Sequence, residues 1–499
     1  MISGVAGRND APVIWALTQA TGALVKLRDG GYEAVPSPDG SRIAFISGNY
    51  VWLASSDGGN ATQFVAAGKG YAFEAIAWSP DGRRLAFMKT HGEYDEVTIE
   101  SIAIAGGESV VAISNPRLRS FAWAPNGHMF YSQLESTKEA SANIWEVGID
   151  ASTWRASDAP KKLTNWSGFS LWDLSTSSDS KRLLFVRKND QSDVYVGKLN
   201  ANGSRLSKPL RLTHDDRMDW LGSWTRAGDS VLFFSDRNAN FDIFQQAVNK
   251  SAPEEILVGS EEEKRNPQTS PDGRWIVYLA WQNQQGDQTP ASGRLLRVPV
   301  SGGKPEFVAD VNGYPGSARV PRDRWLPTAR GYPDFRCPSV PDPGRACVLA
   351  EAATDRISFS AIDPAQGRRG ELAGIDADPI GSFWDLSPDG RRVAVGSCEN
   401  GDSHIHILEL ATKRETTVTI RGWPCLTSVD WGADGKSFFA STWASKGGSL
   451  LRITLAGEAK LLYRAAGMSL ERPILSPDGR FLAYSEVTTI GNAWMVQVP

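Results

Sequence analysis

The chain has 499 residues, 41% of them hydrophobic and 22% charged, with a formal net charge of -4. This charge gives no basic excess, which argues against binding nucleic acid or an anionic membrane through bulk electrostatics. Eighteen Trp and 48 Gly stand beside only 5 His and 6 Met, a composition that suits turn-rich all-β structure. No apolar run approaches the roughly 18 residues that span a bilayer, and no signal peptide is visible at the start.

The first predicted element is a β-hairpin in residues 14–27, IWALTQATGALVKL. From residue 37 onward, a Ser-Pro-Asp-Gly turn or a variant of it recurs before a short hydrophobic strand. Pro sets the first central φ, Asp can bond its own backbone and Gly accepts a positive φ, so the chain reverses tightly there. Nine copies are legible, and they begin at Ser37, Ser79, Ala124, Ser177, Arg226, Ser270, Ser387, Gly432 and Ser476.

Most copies follow one another after 42 to 53 residues, but 117 residues separate Ser270 from Ser387. This gap has room for one degenerate unit, with RACVLAE at residues 345–351 as its remnant. A second pair of strands follows each turn, as in LLRVPVSGGKPEFV and IHILELATKRETTVTI. Four-stranded units at this period are typical of propeller blades. The sequence therefore predicts an all-β chain, a β-propeller array of about ten units over residues 1–499.

The two ends of the chain bear on how the array closes. The last predicted strands are PILS, RFLAYSE and AWMVQVP, with no fourth strand after them. The N-terminal hairpin could complete this last unit and so cover an exposed sheet edge. Because propellers usually have about four to eight blades, ten units leave two arrangements open, one large closed ring or two fused propellers. A division would fall near residue 165 or within residues 310–375.

The Ser-Pro-Asp-Gly turns, together with SDRN at 235–238 and FDIF at 241–244, resemble the WD40-like (PD40) repeats of TolB-type propellers. Similar propellers in bacteria follow kinase or winged-helix domains as sensor or interaction modules, and TolB is a periplasmic protein-binding component. The resemblance thus implies a bacterial, extracytoplasmic protein-binding role. Related propellers also precede the catalytic domain of prolyl oligopeptidases, but the sequence has no Gly-x-Ser-x-Gly elbow.

Loops that enter each blade usually converge at one mouth of a propeller channel, so charged and aromatic residues there are candidates for binding. Tryptophan suits protein hot spots and sugar stacking, although Trp172, Trp220 and Trp384 recur near strand starts and could simply pack between blades. The charged run at 261–265 and the acidic pair at 215–216 are interpreted as solvated loops. The candidate binding residues are Trp166, Trp172, Asp173, Asp216, Arg217, Trp220, Arg265, Trp384, Asp385 and Trp423.

His404 and His406 are weak metal candidates, because they fall on one face of a predicted strand. Oligogalacturonate lyases, which this chain resembles in its propeller turns, hold a divalent metal with histidines. No third ligand is visible here, so ordinary strand residues are favoured and no cofactor is predicted. The cysteines could pair as Cys337 with Cys347 and Cys398 with Cys425, which would imply an oxidising compartment, but free thiols are favoured.

Two functions remain open from the sequence. The leading hypothesis is a non-catalytic propeller that binds a protein or peptide, as the sensor or scaffold of a bacterial regulator. It follows from the candidate aromatic rim and from the lack of a recognisable catalytic set. The alternative is a carbohydrate-active enzyme, a polysaccharide lyase or glycosidase, with its site at the channel mouth. Its support is the indoles, the scattered carboxylates and the two histidines. Neither hypothesis includes nucleic acid as a partner or a membrane span.

Overall fold

The computed structural model shows antiparallel β-sheets along the whole described chain. Among the described residues, no helix is long and apolar enough to cross a membrane. The described residues are 2–4, 12–18, 20–91, 96–135, 141–215, 217–238, 241–249, 255–258, 262–281, 293–312, 333–340, 345–353, 355–378, 382–397, 401–444 and 447–498.

The first part of the chain forms sixteen strands within these residues. They are β1 (Ile2–Gly4), β2 (Val13–Leu17), β3 (Leu24–Asp29), β4 (Tyr32–Pro36), β5 (Arg42–Ser47), β6 (Tyr50–Ser55), β7 (Thr62–Ala66), β8 (Tyr71–Trp78), β9 (Arg84–His91), β10 (Glu96–Ala103), β11 (Val110–Ser114), β12 (Leu118–Trp123), β13 (His128–Leu134), β14 (Ala142–Gly148), β15 (Lys161–Lys162) and β16 (Ser170–Thr176).

The remaining strands begin with a long one and end with another. They are β17 (Arg182–Lys198), β18 (Leu210–Arg211), β19 (Asp219–Trp224), β20 (Ser230–Ser235), β21 (Asp242–Ala247), β22 (Glu255–Val258), β23 (Glu263–Thr269), β24 (Trp275–Trp281), β25 (Gly293–Pro299), β26 (Glu306–Val311), β27 (Asp334–Arg336), β28 (Cys347–Ala352), β29 (Arg356–Asp363), β30 (Gly367–Asp376), β31 (Ser382–Leu386), β32 (Arg392–Ser397), β33 (Ser403–Glu409), β34 (Glu415–Ile420), β35 (Leu426–Trp431), β36 (Ser437–Ala444), β37 (Gly447–Thr454), β38 (Ala459–Ala465), β39 (Ser469–Leu475) and β40 (Phe481–Gln497).

Most sheets are built from strands that are consecutive in the chain, in the order in which they occur. Eight such sheets have four strands (β4–β7, β8–β11, β12–β15, β19–β22, β23–β26, β27–β30, β31–β34 and β35–β38), and β1–β3 form a three-stranded sheet. The degenerate unit expected around residues 345–351 is the sheet of β27–β30. One further sheet has the order β16-β17-β40-β39, with β18 paired to β17. The predicted all-β propeller fold is thereby confirmed, since four-stranded antiparallel units repeat along the chain.

The recurrent turn has the geometry that its residues predict. In the copy at Ser79, the serine Oγ donates to Asp81 Oδ1 (2.6 Å) and accepts from the Arg84 backbone N–H (2.9 Å). Asp81 Oδ1 also accepts from the backbone N–H of Arg83, two residues on (3.0 Å). Gly82 has a φ of 68°, which a residue with a side chain adopts only under strain. The turn therefore ends one strand and starts the next without leaving these polar groups unpaired.

The described chain clusters into two compact units. Unit 1 contains the residues up to 189 and from 490 onward, and unit 2 contains residues 190–489 of the described chain. Among the described residues, the boundary falls inside β17 and inside β40. The first half of β17 pairs with β16, whereas its second half pairs with β18.

Two hairpins expected from the sequence are absent. The repeat pattern predicts a break between RLLFVR, which follows the turn at Ser177, and the second strand pair, which begins VYVGKL. RFLAYSE and AWMVQVP were likewise expected to be separate strands, but each pair is one continuous 17-residue strand. Both connections contain turn-forming residues, KNDQS at 188–192 and Gly491 with Asn492. The extended backbone is therefore explained by the pairing of β17 with β40 in one sheet, and not by the local sequence.

The N-terminal hairpin also differs from its expected role. Strand β2 pairs with β1 and β3, and the sheet that contains β39 and β40 is continued instead by β17 and β18. The hairpin therefore does not complete the last unit of the chain, because the second half of β17 already occupies that position beside β40.

In unit 2 the core lies between successive sheets. Buried apolar clusters join the sheet of β39 to β19–β22, that sheet to β23–β26, and so on through β27–β30, β31–β34 and β35–β38. A sixth cluster joins β35–β38 to the sheet of β39. Unit 1 has clusters of the same kind between its neighbouring sheets. Face-to-face packing leaves the first strand of each unit 2 sheet free to line a common space.

Candidate functional site

A pocket in unit 2 is lined by its six inner strands, β19, β23, β27, β31, β35 and β39, and by the turns that follow several of them. It encloses about 850 Å³, including space open to solvent. Each strand contributes a polar or small residue, in chain order Gly222, Gln268, Arg336, Asp385, Asp430 and Arg472. A concave site with a few convergent polar groups is the usual form of a ligand pocket.

Backbone bulges direct two of the polar side chains. The pairing of β39 with β40 shifts register between Glu471 and Ile474, and Arg472 at this bulge has a φ of 51°. The pairing of β23 with β24 shifts between Arg265 and Gln268, and Asn266 also has a φ of 51°. Positive φ is uncommon for residues with side chains and clusters at functional sites. Bulges re-aim side chains, which explains why these two residues meet.

Arg472 and Asn266 are joined by a hydrogen bond. Arg472 Nη1 donates to Asn266 Oδ1 (3.0 Å), and Arg472 Nη2 donates to the Gly222 carbonyl (3.2 Å). Gln268 Nε2 donates to the same carbonyl (3.0 Å), while Asn266 Nδ2 donates to Asp334 Oδ1. The network therefore links β19, β23, β27 and β39, and both oxygens that accept from Arg472 are neutral.

Arg336, in contrast, is surrounded by carboxylates. Its Nη1 lies 2.8 Å from Asp334 Oδ2 and its Nε 3.3 Å from Asp385 Oδ1. Its guanidinium also lies 5.3 Å from the ring centre of Trp384. Burial alone would lower the pKa of Arg336, but Asp334, Asp385 and Asp430 together raise it above its ordinary value. Arg336 therefore stays charged and neutralises its own acidic neighbours.

Asp385 and Asp430 are the acidic members of the pocket. Asp385 Oδ2 accepts the backbone N–H of Trp431 (2.8 Å), and burial raises the pKa of Asp385 although Arg336 opposes the effect. Burial also raises the pKa of Asp430 well above its ordinary value, and the nearby Asp385 raises it further. Two like charges in one buried space cannot both ionise cheaply, so Asp430 holds its proton more tightly than an exposed carboxyl group does.

The remaining wall is largely apolar. Trp224 and Trp431 are both 5% exposed and contribute to it, and the Trp224 indole N–H donates to the Ile474 carbonyl (2.9 Å). Pro338, Pro388 and Pro477, with Leu475, also line the pocket. The site thus combines an apolar wall with arginines and carboxyl groups, as ligand pockets commonly do.

The predicted binding residues of unit 1 do not line this pocket. Trp166 is partly buried and packs 5.6 Å from Phe185, measured between ring centres. The Trp172 indole donates to Ser170 Oγ (3.0 Å). Asp173 is exposed and has a φ of 54° at a bulge of β16. These residues belong to inner or adjoining segments of unit 1 and do not contribute to the unit 2 site.

Of the predicted binding residues in unit 2 that the structure describes, Asp385 alone lines the pocket. Trp220 and Trp384 are 3% and 4% exposed and pack in hydrophobic clusters, so packing accounts for both indoles in this structure. Trp423 is partly buried against another cluster. Arg217 is exposed, Arg265 lies over the Phe241 ring, and Asp216 falls outside the described residues.

The charged run at 261–265 is not a solvated loop where it is described, and this expectation was wrong. Most of it belongs to β23, and Lys264 is 1% exposed. The Lys264 ammonium pairs with Asp242, itself 3% exposed. A buried ammonium needs such a partner because burial without one is very costly.

The histidines and cysteines were also placed by the structure. His404 and His406 lie on β33, and His406 Nδ1 contacts Glu415 Oε1 at 2.8 Å. Across the described chain, no group of three or more His, Cys, Asp or Glu side chains could hold a metal ion.

Cys337 and Cys347 form a disulfide, and Cys425 is also disulfide-bonded, so the preference for free thiols was wrong for these three. Cys398 lies outside the described residues.

Comparison with known proteins supports the fold. Residues 62–280 match the prolyl oligopeptidase N-terminal β-propeller domain family, which is less than half of the chain. Together with the repeated four-stranded sheets, this match identifies a β-propeller protein. No protein of curated function matches the chain.

Solved structures of similar fold include TolB from Agrobacterium tumefaciens, with 17% identity over 62% of this chain and 91% of that one (TM-score 0.29). A puromycin-hydrolyzing peptidase of Mycobacterium tuberculosis has 12% identity over 83% of this chain and 57% of the peptidase (TM-score 0.32). An oligogalacturonate lyase in complex with manganese has 11% identity over 64% and 96% (TM-score 0.33). Similarity at this level carries no argument about a ligand or an activity.

Proposed function

We propose that this chain is a β-propeller that binds a protein or peptide, and that the unit 2 pocket receives part of that ligand. The observation that carries the proposal is the meeting of six inner strands around one space with apolar walls and a polar base. Such a space suits a side chain or chain end, with apolar area for affinity and fixed polar groups for orientation. A sensor or scaffold role in a bacterial regulator belongs to the same proposal and rests on the resemblance of the repeats.

The cyclic order of the unit 2 clusters supports a related proposal about architecture. The sixth cluster returns from β35–β38 to the sheet of β39, which is itself joined to β19–β22. We infer two fused propellers in place of one large ring, with the pocket in the channel of the second.

Blocking the pocket tests the proposed function. Ala433 is exposed and lines the pocket, so Ala433→Trp would fill part of it. Ala411 is an equally exposed alanine of unit 2 that does not line it, which makes Ala411→Trp a matched control. Displayed random peptides selected on the wild-type chain should bind the control variant and lose at least tenfold in affinity for Ala433→Trp. Equal binding to all three chains would contradict the proposed site.

A second function is favoured by one specific observation. Asp385 and Asp430 share the pocket and have raised pKa values, and two carboxyl groups in different environments are the usual catalytic pair of glycosidases. A carbohydrate-active enzyme should release reducing or unsaturated ends from an acidic or neutral polysaccharide. Asp430→Asn should then abolish release. A protein that only binds should release none with either chain.

A further inference from the structure

Arg472 is a cation without a carboxylate partner. Among the described residues, no carboxylate oxygen is recorded within 4.0 Å of its guanidinium, and its hydrogen bonds go to the neutral oxygens of Asn266 and Gly222. Its Nε is shielded from solvent and has no hydrogen-bond partner in the described chain. A guanidinium carries five N–H donors, so most of its donor capacity is unused.

The charge on this side chain persists at neutral pH. Burial, and then repulsion from Arg336, lower the pKa of Arg472 to about 10, although Asp334, Asp430 and Asp385 act in the opposite direction. The group is still protonated at neutral pH. Because its hydrogen bonds in the described chain go to neutral oxygens, its remaining N–H donors can bind an anion that enters the pocket.

Two of the acidic residues near Arg472 already have other partners. Asp334 and Asp385 form ion pairs with Arg336, and Asp334 also accepts a hydrogen bond from Asn266. Asp430 has no ion pair within 4.0 Å among the described residues, and burial and Asp385 raise its pKa well above the ordinary value. When protonated, its carboxyl group can donate a hydrogen bond to an anion in the pocket.

A second arginine at the pocket, Arg226, also has a guanidinium nitrogen without a hydrogen-bond partner in the described chain. Arg226 lines the pocket and donates from Nη1 to the Ser270 carbonyl (3.3 Å), while its Nη2 has no recorded partner. Arg226 therefore offers a further N–H donor at the same pocket.

We propose that the unit 2 pocket binds a carboxylate of its ligand through the Arg472 guanidinium, with Arg226 as an additional donor. The carboxylate would take two parallel hydrogen bonds from the planar guanidinium, the geometry that arginine prefers. The inference deepens the proposed function, because it names the ligand group that the pocket recognises. Two sources share this chemistry, a free peptide C-terminus and an acidic side chain.

Small blocked amino acids test the carboxylate directly on the full chain. N-acetyl-alanine has a free carboxylate at the C-terminal position, N-acetyl-glutamate amide has one on the side chain only, and N-acetyl-alanine amide has none. Titration calorimetry should show binding of one or both carboxylates, and at least tenfold weaker binding of the amide. The preferred carboxylate identifies the source. Inorganic phosphate should bind more weakly than the preferred compound, and tighter phosphate binding would overturn the choice of carboxylate.

Two arginine variants separate the site from general charge effects. Arg472→Gln should weaken carboxylate binding roughly tenfold to hundredfold, the usual cost of losing a charge-assisted hydrogen bond. Arg452→Gln is the matched control, because Arg452 is also partly buried, donates to a neutral carbonyl of Asn202 (2.7 Å) and does not line the pocket. Equal carboxylate affinity in Arg472→Gln and wild type would overturn the proposal.

If Arg472→Gln does not fold, the proposal can still be tested on the wild-type chain. In protein labelled with ¹⁵N-arginine, one Nε–H resonance should shift on addition of the carboxylate compound and stay in place with the amide. Failure of both compounds to bind or to shift any arginine resonance would overturn the inference. If carboxylates bind at Arg472 but no displayed peptide does, the proposed peptide function fails while the carboxylate site stands.

Discussion

Asp219 is a buried carboxylate whose ionisation opposes folding. It is fully buried, one oxygen lies 3.0 Å from Arg237 Nη2, and the other has no recorded hydrogen-bond partner. Burial raises the pKa of Asp219 to about 7, although Arg237 counteracts part of the effect. An acid that holds its proton more tightly when folded makes the folded state lose stability as pH rises from the unfolded pKa, about 4, through the folded pKa.

Asp219→Asn should therefore flatten the dependence of stability on pH between about 4 and 7. Arg237 keeps a second partner in this variant, because it also lies 2.8 Å from Asp215. Urea unfolding at pH 4.5 and pH 7.5 should show a fall in the wild type, of order 1–4 kcal/mol, that is much smaller in the variant. Parallel curves for the two chains would exclude Asp219 as the source.

At the residue scale, the sequence predicted Asp385 but missed Arg336, Asp430 and Arg472. A positional signal was available for one of them, because Arg472 stands four residues before the turn motif at Ser476. Glu33, Asp173 and Asn266 stand at the same distance before their own turns, and all four have φ between 51° and 54°. Aligning the turns backward would have shown a polar residue at this repeated bulge. The ion pair between Lys264 and Asp242 could not be predicted in this way, because the two residues lie on different strands, β23 and β21, which the alignment of turns does not bring together.

At the element scale, the turn serine holds two connected strands together. Ser79 is fully buried, and its hydroxyl donates a hydrogen bond to Asp81 and accepts one from the Arg84 backbone N–H. Ser79→Ala leaves these groups without their partner and should lower the free energy of unfolding by about 1–2 kcal/mol. Ser56→Ala, at an exposed serine near another hairpin, should change it by less than about 0.5 kcal/mol. Chemical denaturation of both variants provides the comparison, and equal losses would contradict the role of this hydroxyl.

The elements themselves were largely predictable, because the turn motif has a local cause. An Asp that bonds its own backbone and a Gly that accepts a positive φ are sufficient to reverse the chain there, whatever surrounds them. The exceptions are β17 and β40, where the expected hairpin connections are extended. That choice depends on which strands are available as neighbours in the folded sheet, and a residue-by-residue pattern does not contain this information.

At the scale of the whole molecule, the described residues of unit 2 all fall within residues 190–489. Residues 190–489 contain the second half of β17, the first half of β40 and all the inner strands that line the pocket. Its six clusters use residues from this range alone. A core that is complete within one segment is a basis for independent folding.

A chain limited to residues 190–489 should therefore fold and keep the pocket. Its thermal unfolding should be cooperative, and its affinity for the preferred blocked carboxylate should lie within about threefold of that of the full chain. The same fragment with Arg472→Gln controls for non-specific binding. An unfolded fragment would show that unit 2 depends on residues outside this range.

The neighbouring positions of β17 and β40 in one sheet have a consequence for the gene as well as for the protein. The chain leaves unit 1 on one of these strands and returns on the other, so the coding sequence of unit 2 interrupts that of unit 1 as an insertion. Excising residues 190–489 and joining the cut strands through a short Asn-Gly turn would restore an ordinary hairpin. Unit 2 can thus be gained or lost by a single in-frame event that leaves the sheets of unit 1 intact.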